Sequence, residues 1–257
     1  MPIHKLVAIL VVLLQAEVLC FAASDPIQSP KYGPDAIPLT SSYGYFKDHF
    51  PPVFWHMMPY FVPQENEWSC GIASTAMVLN AARAILKMTP HLKSNQPLVN
   101  EKDMIQFLQK DSFLKSKKVQ SMGFTLPELK EFIGATMREY HIQNGQIEIV
   151  QMNLDPQLYE KENKLHDLLS QLETSDRHLI IANFNQGVFT GDVEVGHYSP
   201  IAAYDSTNKR VLIFDTDRKW FEPYWVSEAT LLRGMKTLDK KSKNNRGFLH
   251  IALRSNP

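Results

Sequence analysis

The chain has 257 residues, 44% of them hydrophobic, and its 27 basic residues balance 27 acidic ones. That length buries a sizeable core as one large domain or two small ones. The neutral balance excludes a general field for nucleic acid or an anionic membrane, and no charge run, low-complexity tract or internal repeat breaks the chain.

Residues 1–23 read as a secretory signal peptide. Met1 to Lys5 is weakly basic, Leu6 to Leu14 is an apolar run that extends less cleanly to Phe21, and the small residues Ala22, Ala23 and Ser24 follow. Gln15 and Glu17 interrupt the run, so a spanning helix, which needs roughly 20 apolar residues, is the weaker reading. Lipoprotein-type cleavage ending at Cys20 stays open, although Leu19 is large for such a site. A domain over 24–257 is expected outside the cytoplasm, periplasmic or secreted, with no stable membrane insertion after cleavage. The cysteines are Cys20 and Cys70. With Cys20 in the signal, Cys70 cannot form an internal disulfide. A lone thiol in an oxidising compartment invites a functional explanation, and a buried bystander that packs as a small apolar residue is the alternative.

Asp25 to Pro52, rich in Pro, Ser and Tyr, reads as an extended arm. Phe50, Phe54, Trp55, Tyr60 and Phe61 form an aromatic segment, expected to pack in the core rather than line a cleft. From Gly71 to Lys87, Ala73, Met77, Asn80 and Ala84 recur at helical spacing without a proline. This predicts a helix largely buried on one side, with Ser69 placed to cap its start. Helices are predicted over Glu101–Lys117 and Thr125–Tyr140, the second opening on a capping box, Thr125-Leu126-Pro127-Glu128. Leu165–Leu172 reads as another. Strand signals follow at Gln146–Met152, His178–Phe184, Ser199–Asp205, Arg210–Thr216 and Gly247–Leu253, with a turn over Ser206–Lys209. The fold class is α+β, a helical N-terminal half packed on an antiparallel sheet in the C-terminal half. No linker separates two domains.

Cys70 sits where the first long helix starts. The helix dipole favours a thiolate there, and free amides can support an oxyanion. Gly71 is expected to let a substrate approach the backbone. Gln64, six residues earlier, is a candidate side-chain donor to the same oxyanion. Among nine histidines, His197 in Gly196-His197-Tyr198-Ser199-Pro200 lies just before an apolar strand, a place that holds an imidazole in a cleft. The orienting acid follows at the end of the apolar run Val211-Leu212-Ile213-Phe214-Asp215, where a carboxylate is costly without a partner; Asp217 competes for the role. If Asp205 pairs with Arg210, a regular hairpin puts Asp215 opposite Pro200, on the wrong face for His197. A one-residue bulge, an odd-length turn or a departure from sheet geometry at His197 is therefore predicted. Cys, His and Asp in this order match papain-like enzymes, with the carboxylate holding the imidazole tautomer. Zinc held by Cys70, His197 and Asp215 is the alternative use, without a supporting C-x-x-C or H-x-x-x-H spacing.

At these residues the sequence resembles the phytochelatin synthase (glutathione γ-glutamylcysteinyltransferase) family, in its short bacterial-type form. The resemblance rests on Cys-Gly-Ile-Ala-Ser-Thr-Ala-Met-Val-Leu-Asn from Cys70 to Asn80, Gly-His-Tyr-Ser-Pro-Ile from Gly196, Asp215 and Tyr224-Trp225-Val226. It implies a papain-like catalytic domain in which Cys70 cleaves the Cys–Gly amide of glutathione and passes the γ-glutamylcysteinyl group to water or to a second glutathione. It implies that Asp239 and Arg246 hold the γ-glutamyl ammonium and carboxylate, with Gly196 and Asn183 beside them. No tightly bound cofactor is implied. Cadmium, zinc or copper would enter as metal–glutathione thiolate substrate, because this chain has no cysteine beyond Cys70 in the folded part to replace the cysteine-rich C-terminal region of plant members. A homodimer is compatible with the sequence. A secreted papain-like peptidase and a catalytically dead binding module are the competing readings; the first predicts a long open groove, the second an unreactive Cys70.

Overall fold

The computed structural model describes residues 32–87, 97–110, 118–143, 145–191 and 194–254, with backbone alone for 107–110. The expected signal peptide and Cys20 lie outside the described residues. The strands are β1 (Ile37–Pro38), β2 (Gly145–Gln151), β3 (His178–Asn185), β4 (Gly196–Asp205), β5 (Arg210–Ile213), β6 (Tyr224–Ser227), β7 (Leu238–Asp239), β8 (Asn244–Asn245) and β9 (Gly247–Leu253). Seven of them form one sheet in the order β1-β6-β5-β4-β3-β9-β2, and β7 and β8 form a separate ribbon. Every pairing is antiparallel. The longer helices are α1 (Pro52–Met57), α2 (Cys70–Ile85), α3 (Glu101–Lys110), α4 (Leu126–Glu139), α5 (Leu158–Gln171) and α6 (Glu228–Met235).

Helix α2 is mostly apolar, and every residue of it except Ala84 is buried. Such a helix belongs inside a domain, and it lies against β3 and β4. Strand β3 is buried over all but its first residue, so both faces are covered, which explains its continuous apolar run in place of alternation. Helix α4 starts as its sequence predicts. Thr125 Oγ1 accepts the Glu128 amide, and the Glu128 carboxylate accepts the Thr125 amide at 2.8 Å.

The chain departs from the sequence reading at several ends. Helix α5 starts at Leu158, seven residues before the expected Leu165, because its first two turns are polar and show little periodicity. The expected helix over Glu101–Lys117 is described only to Lys110, and residues 111–117 lie outside the described residues. Strand β4 begins at Gly196, so His197 lies within the strand rather than ahead of it, and β5 ends at Ile213 rather than Thr216. Helices are not confined to the first half, since α5 and α6 alternate with strands. Of the aromatic segment, Phe54 is buried, whereas Phe50 and Trp55 are exposed and stack on each other at 5.1 Å.

One irregularity positions the site. Asp205 pairs with Arg210 and Ala203 with Leu212, but the register then shifts so that Ile201 pairs with Ile213. Ala202 is the extra residue of a β-bulge. The Phe214 amide donates to the Pro200 carbonyl at 3.0 Å, which continues the shifted register and brings Asp215 to the level of Ser199. Asp215 thereby shares a face with His197, as the hairpin argument required.

Candidate active site

Cys70 is the first residue of α2, 7% exposed and without a disulfide partner. Its amide has no acceptor among the described residues, as expected for the first N–H of a helix. Ser69 does not cap the helix with its side chain. Its hydroxyl accepts the Asn66 amide and donates to the Asn66 carbonyl, both at 3.0 Å, closing the loop before Cys70 instead. Gly71 also departs from expectation. A Cβ there would sit 3.2 Å from both Leu129 and Phe124, so the missing side chain makes room for packing against α4 rather than for substrate.

His197 is 4% exposed and Asp215 fully buried. The imidazole Nε2 lies 2.9 Å from Asp215 Oδ1, and Cys70 lies close enough to the same ring to raise its pKa. Burial pushes the His197 pKa down, but the charge and hydrogen bond of Asp215, with Cys70 beside the ring, hold it well above the ordinary histidine value. For Asp215, burial raises the pKa, and the His197 charge with bonds from His197, Tyr224 and the Asp217 amide outweighs it, leaving the carboxyl below its usual range. The Asp215 carboxylate takes four donors. Besides His197 these are the Asp217 amide at 2.8 Å, Gln186 Nε2 at 3.1 Å and the Tyr224 hydroxyl at 2.7 Å. Asp217, the competing acid, reaches Asp215 only through its backbone.

Gln64 is tied down by Thr216. Its main-chain amide donates to the Thr216 carbonyl at 2.9 Å, and its side-chain Oε1 accepts the Thr216 hydroxyl at 3.0 Å. With the oxygen engaged, the amide nitrogen is the end left to donate. The Thr216 hydroxyl also lies 3.5 Å from His197 Nε2, so one buried side chain joins the glutamine to the imidazole. Gln186, Thr216 and the Tyr224 hydroxyl escaped the sequence reading. Their partners lie up to 152 residues away, and no local pattern marks them.

Cys70 opens into a cleft of about 530 Å³ whose walls include Glu67, Glu194, Asp239, Lys240, Lys241, Arg246, Asn183, Gly196 and Tyr198. A cleft of this size suits a small molecule. All four substrate-binding candidates line it. Arg246 Nη1 donates to Thr237 Oγ1 and the Leu238 carbonyl, while its Nε is buried without a partner. Burial lowers the Arg246 pKa, opposed by the charge of Asp239 and then Tyr198 and Glu194. A Cβ on Gly196 would lie 2.7 Å from Arg246 Nη2, so this glycine lets the guanidinium lie over the start of β4. Asn183 Nδ2 donates to the His197 carbonyl at 3.2 Å. The Asp239 carboxylate accepts the Lys241 and Ser242 amides, which fixes its direction. Other described histidines sit apart: His49 stacks on Tyr45, His166 pairs with Glu228, and His178 with His250. Among the described residues no group of three or more His, Cys, Asp or Glu side chains is arranged to hold a metal ion, and no helix is long and apolar enough to cross a membrane.

Residues 44–248 match the family model described as Phytochelatin synthase. Curated relatives include glutathione gamma-glutamylcysteinyltransferase 1 of Lotus japonicus, 26% identical over 200 residues, which covers 77% of this chain and 36% of the relative. The Lotus japonicus protein numbered 3 is 28% identical over 204 residues, covering 77% and 37%. Glutathione gamma-glutamylcysteinyltransferase 1 of Arabidopsis thaliana is 25% identical over 200 residues, covering 77% and 37%. The chain thus spans little more than a third of the length of these relatives.

Proposed function

This chain belongs to the phytochelatin synthase family, and on that footing we propose that it is a glutathione γ-glutamylcysteinyltransferase whose nucleophile is Cys70. The observation that carries the proposal is the shared cleft. Cys70, beside the His197–Asp215 pair, opens into the same charged space as Arg246, whose buried Nε lacks a partner.

The chemistry runs as acyl transfer. With the proton of the Cys70–His197 pair resting on the imidazole, the Cys70 sulfur attacks the carbonyl carbon of the Cys–Gly bond. The carbonyl electrons move onto oxygen, where the Cys70 amide and the Gln64 side chain donate to the resulting anion. His197 returns the proton to the glycine nitrogen, the C–N bond breaks, and a γ-glutamylcysteinyl thioester remains on Cys70. Water or the γ-glutamyl amine of a second glutathione then attacks the thioester. His197 accepts the incoming proton, and the thiol is regenerated. Asp215 stays ionised throughout and holds the imidazole.

For the substrate ends, Arg246 Nε and Nη2 match a carboxylate in a forked pair, and Asp239 supplies the opposite charge for the ammonium. Asn183 and Gly196 shape the space between. The mixture of three acids and three bases in the cleft suits a zwitterion such as glutathione better than a general peptide. A nucleophile at a helix start, with its histidine on β4 and its acid just past the end of the neighbouring β5, supports a papain-like reading of the α+β fold. The N-terminal sequence supports export, and metal ions enter this account as metal–glutathione thiolate substrate. The test is incubation with glutathione, with and without cadmium, followed by mass spectrometry. Glycine release with γ-glutamylcysteine or longer γ-Glu-Cys oligomers is expected, and Cys70→Ser should abolish it. No glycine under either condition sinks the reading.

A further inference from the structure

Glu101 is a carboxylate the reaction above does not use. It is 5% exposed, and burial raises its pKa against the hydrogen bonds it receives. Its partners all belong to the loop between Gln64 and Cys70. The Glu65 amide donates to both carboxylate oxygens, at 3.3 and 3.2 Å, and the Ser69 and Asn66 side chains act on it from the same loop, lowering its pKa. The charge it faces there is a second acid, Glu65. A buried carboxylate without an opposite charge is costly, so its position calls for a role in that loop. Its own helix does not need it as a cap, because Asn100 Oδ1 accepts the Asp103 amide at 2.9 Å.

The mounting of Glu101 leads back to the nucleophile. Asn80, on α2, donates to the Val99 carbonyl at 2.8 Å and accepts the Val99 amide at 3.0 Å. The helix that begins with Cys70 therefore carries the segment that carries Glu101. Glu101 in turn grips the loop whose ends are Gln64 and Cys70. Those ends hold the two oxyanion donors, the Gln64 side-chain amide and the Cys70 main-chain amide.

We propose that Glu101 is a positioning residue: its carboxylate fixes the 64–70 loop so that both oxyanion donors point at one oxygen. The proposal rests on the acyl-transfer reading of Cys70 but not on the identity of the substrate. It predicts damage to reactions that pass through a tetrahedral oxyanion and not to the reactivity of the sulfur itself.

Two probes separate these in the full chain. Iodoacetamide alkylates Cys70 by displacing iodide, with no oxyanion. 4-Nitrophenyl acetate acylates it: sulfur attacks the ester carbonyl, the acetyl group stays on sulfur and 4-nitrophenolate leaves. Glu101→Ala is expected to slow acylation about tenfold or more while alkylation stays within about twofold. Gln64→Ala should give the same signature, and adding Glu101→Ala to it should cost little more. If circular dichroism shows that Glu101→Ala does not fold, Glu101→Gln decides. It keeps the shape and one acceptor oxygen, and should slow acylation about threefold with alkylation unchanged. Unchanged acylation in a folded variant, or a parallel loss with both probes, overturns the proposal. Neither probe contains glutathione, so a chain that releases no glycine would sink the substrate reading and leave this result standing.

Discussion

Asp215 is fully buried yet receives four hydrogen bonds, and this satisfaction keeps it ionised beside His197. The raised His197 pKa has a definite sign for activity. The ring stays protonated above its ordinary value, about 6.5, so it still has a proton for the leaving amine in mildly alkaline solution. Activity then falls as pH rises through the elevated pKa. Asp215→Asn removes the anion and keeps the burial, so the alkaline limb of kcat/KM should move to lower pH. The rate should fall on the order of 10²-fold or more. A pH–rate profile checks both; an unmoved limb would detach Asp215 from the imidazole. Cys70, His197 and Asp215 were legible because each is locally anomalous: a lone thiol at a helix start, a histidine at a strand start and an acid ending an apolar run. Gln186, Thr216 and Glu101 carry no such mark. Their use depends on what the fold brings to them, as with Glu101 and Glu65, 36 residues apart.

At the scale of elements, the hairpin arithmetic worked because side chains in a strand have a fixed period of two. The sequence alone implied a register fault between Asp205 and His197, and the bulge at Ala202 supplies it. Element ends were less legible. β4 runs back to Gly196 and α5 starts early, since neither extension has a strong apolar pattern and both are set by tertiary packing. The start of β4 bears on the proposed recognition of glutathione, because Gly196 lies beneath Arg246. In Gly196→Ala the new Cβ meets the end of a flexible side chain, so the guanidinium moves and the backbone does not. The expected result is a KM for glutathione raised about tenfold, with kcat and melting temperature little changed. Steady-state kinetics with a thermal melt measure this. A raised melting temperature with unchanged KM would mean that Arg246 does not touch the substrate.

Across the whole molecule, the cleft gathers Glu67–Cys70, the 120–124 segment, β3, the start of β4 and the β7–β8 ribbon. No local pattern joins these segments, and Asp239 and Arg246 entered the sequence reading only through family resemblance. The fold unites them because β3, β4 and β9 are adjacent in the sheet and α2 packs across β3 and β4. The central claim is that Cys70 carries the γ-glutamylcysteinyl group. Rapid mixing of the protein with glutathione, acid quenching and intact-mass analysis test it most directly. The account predicts one γ-glutamylcysteinyl group as a thioester on Cys70, resistant to a phosphine reductant, absent in Cys70→Ser and formed with an equal burst of glycine. A mass gain of whole glutathione that the reductant removes, with no glycine released, would contradict it.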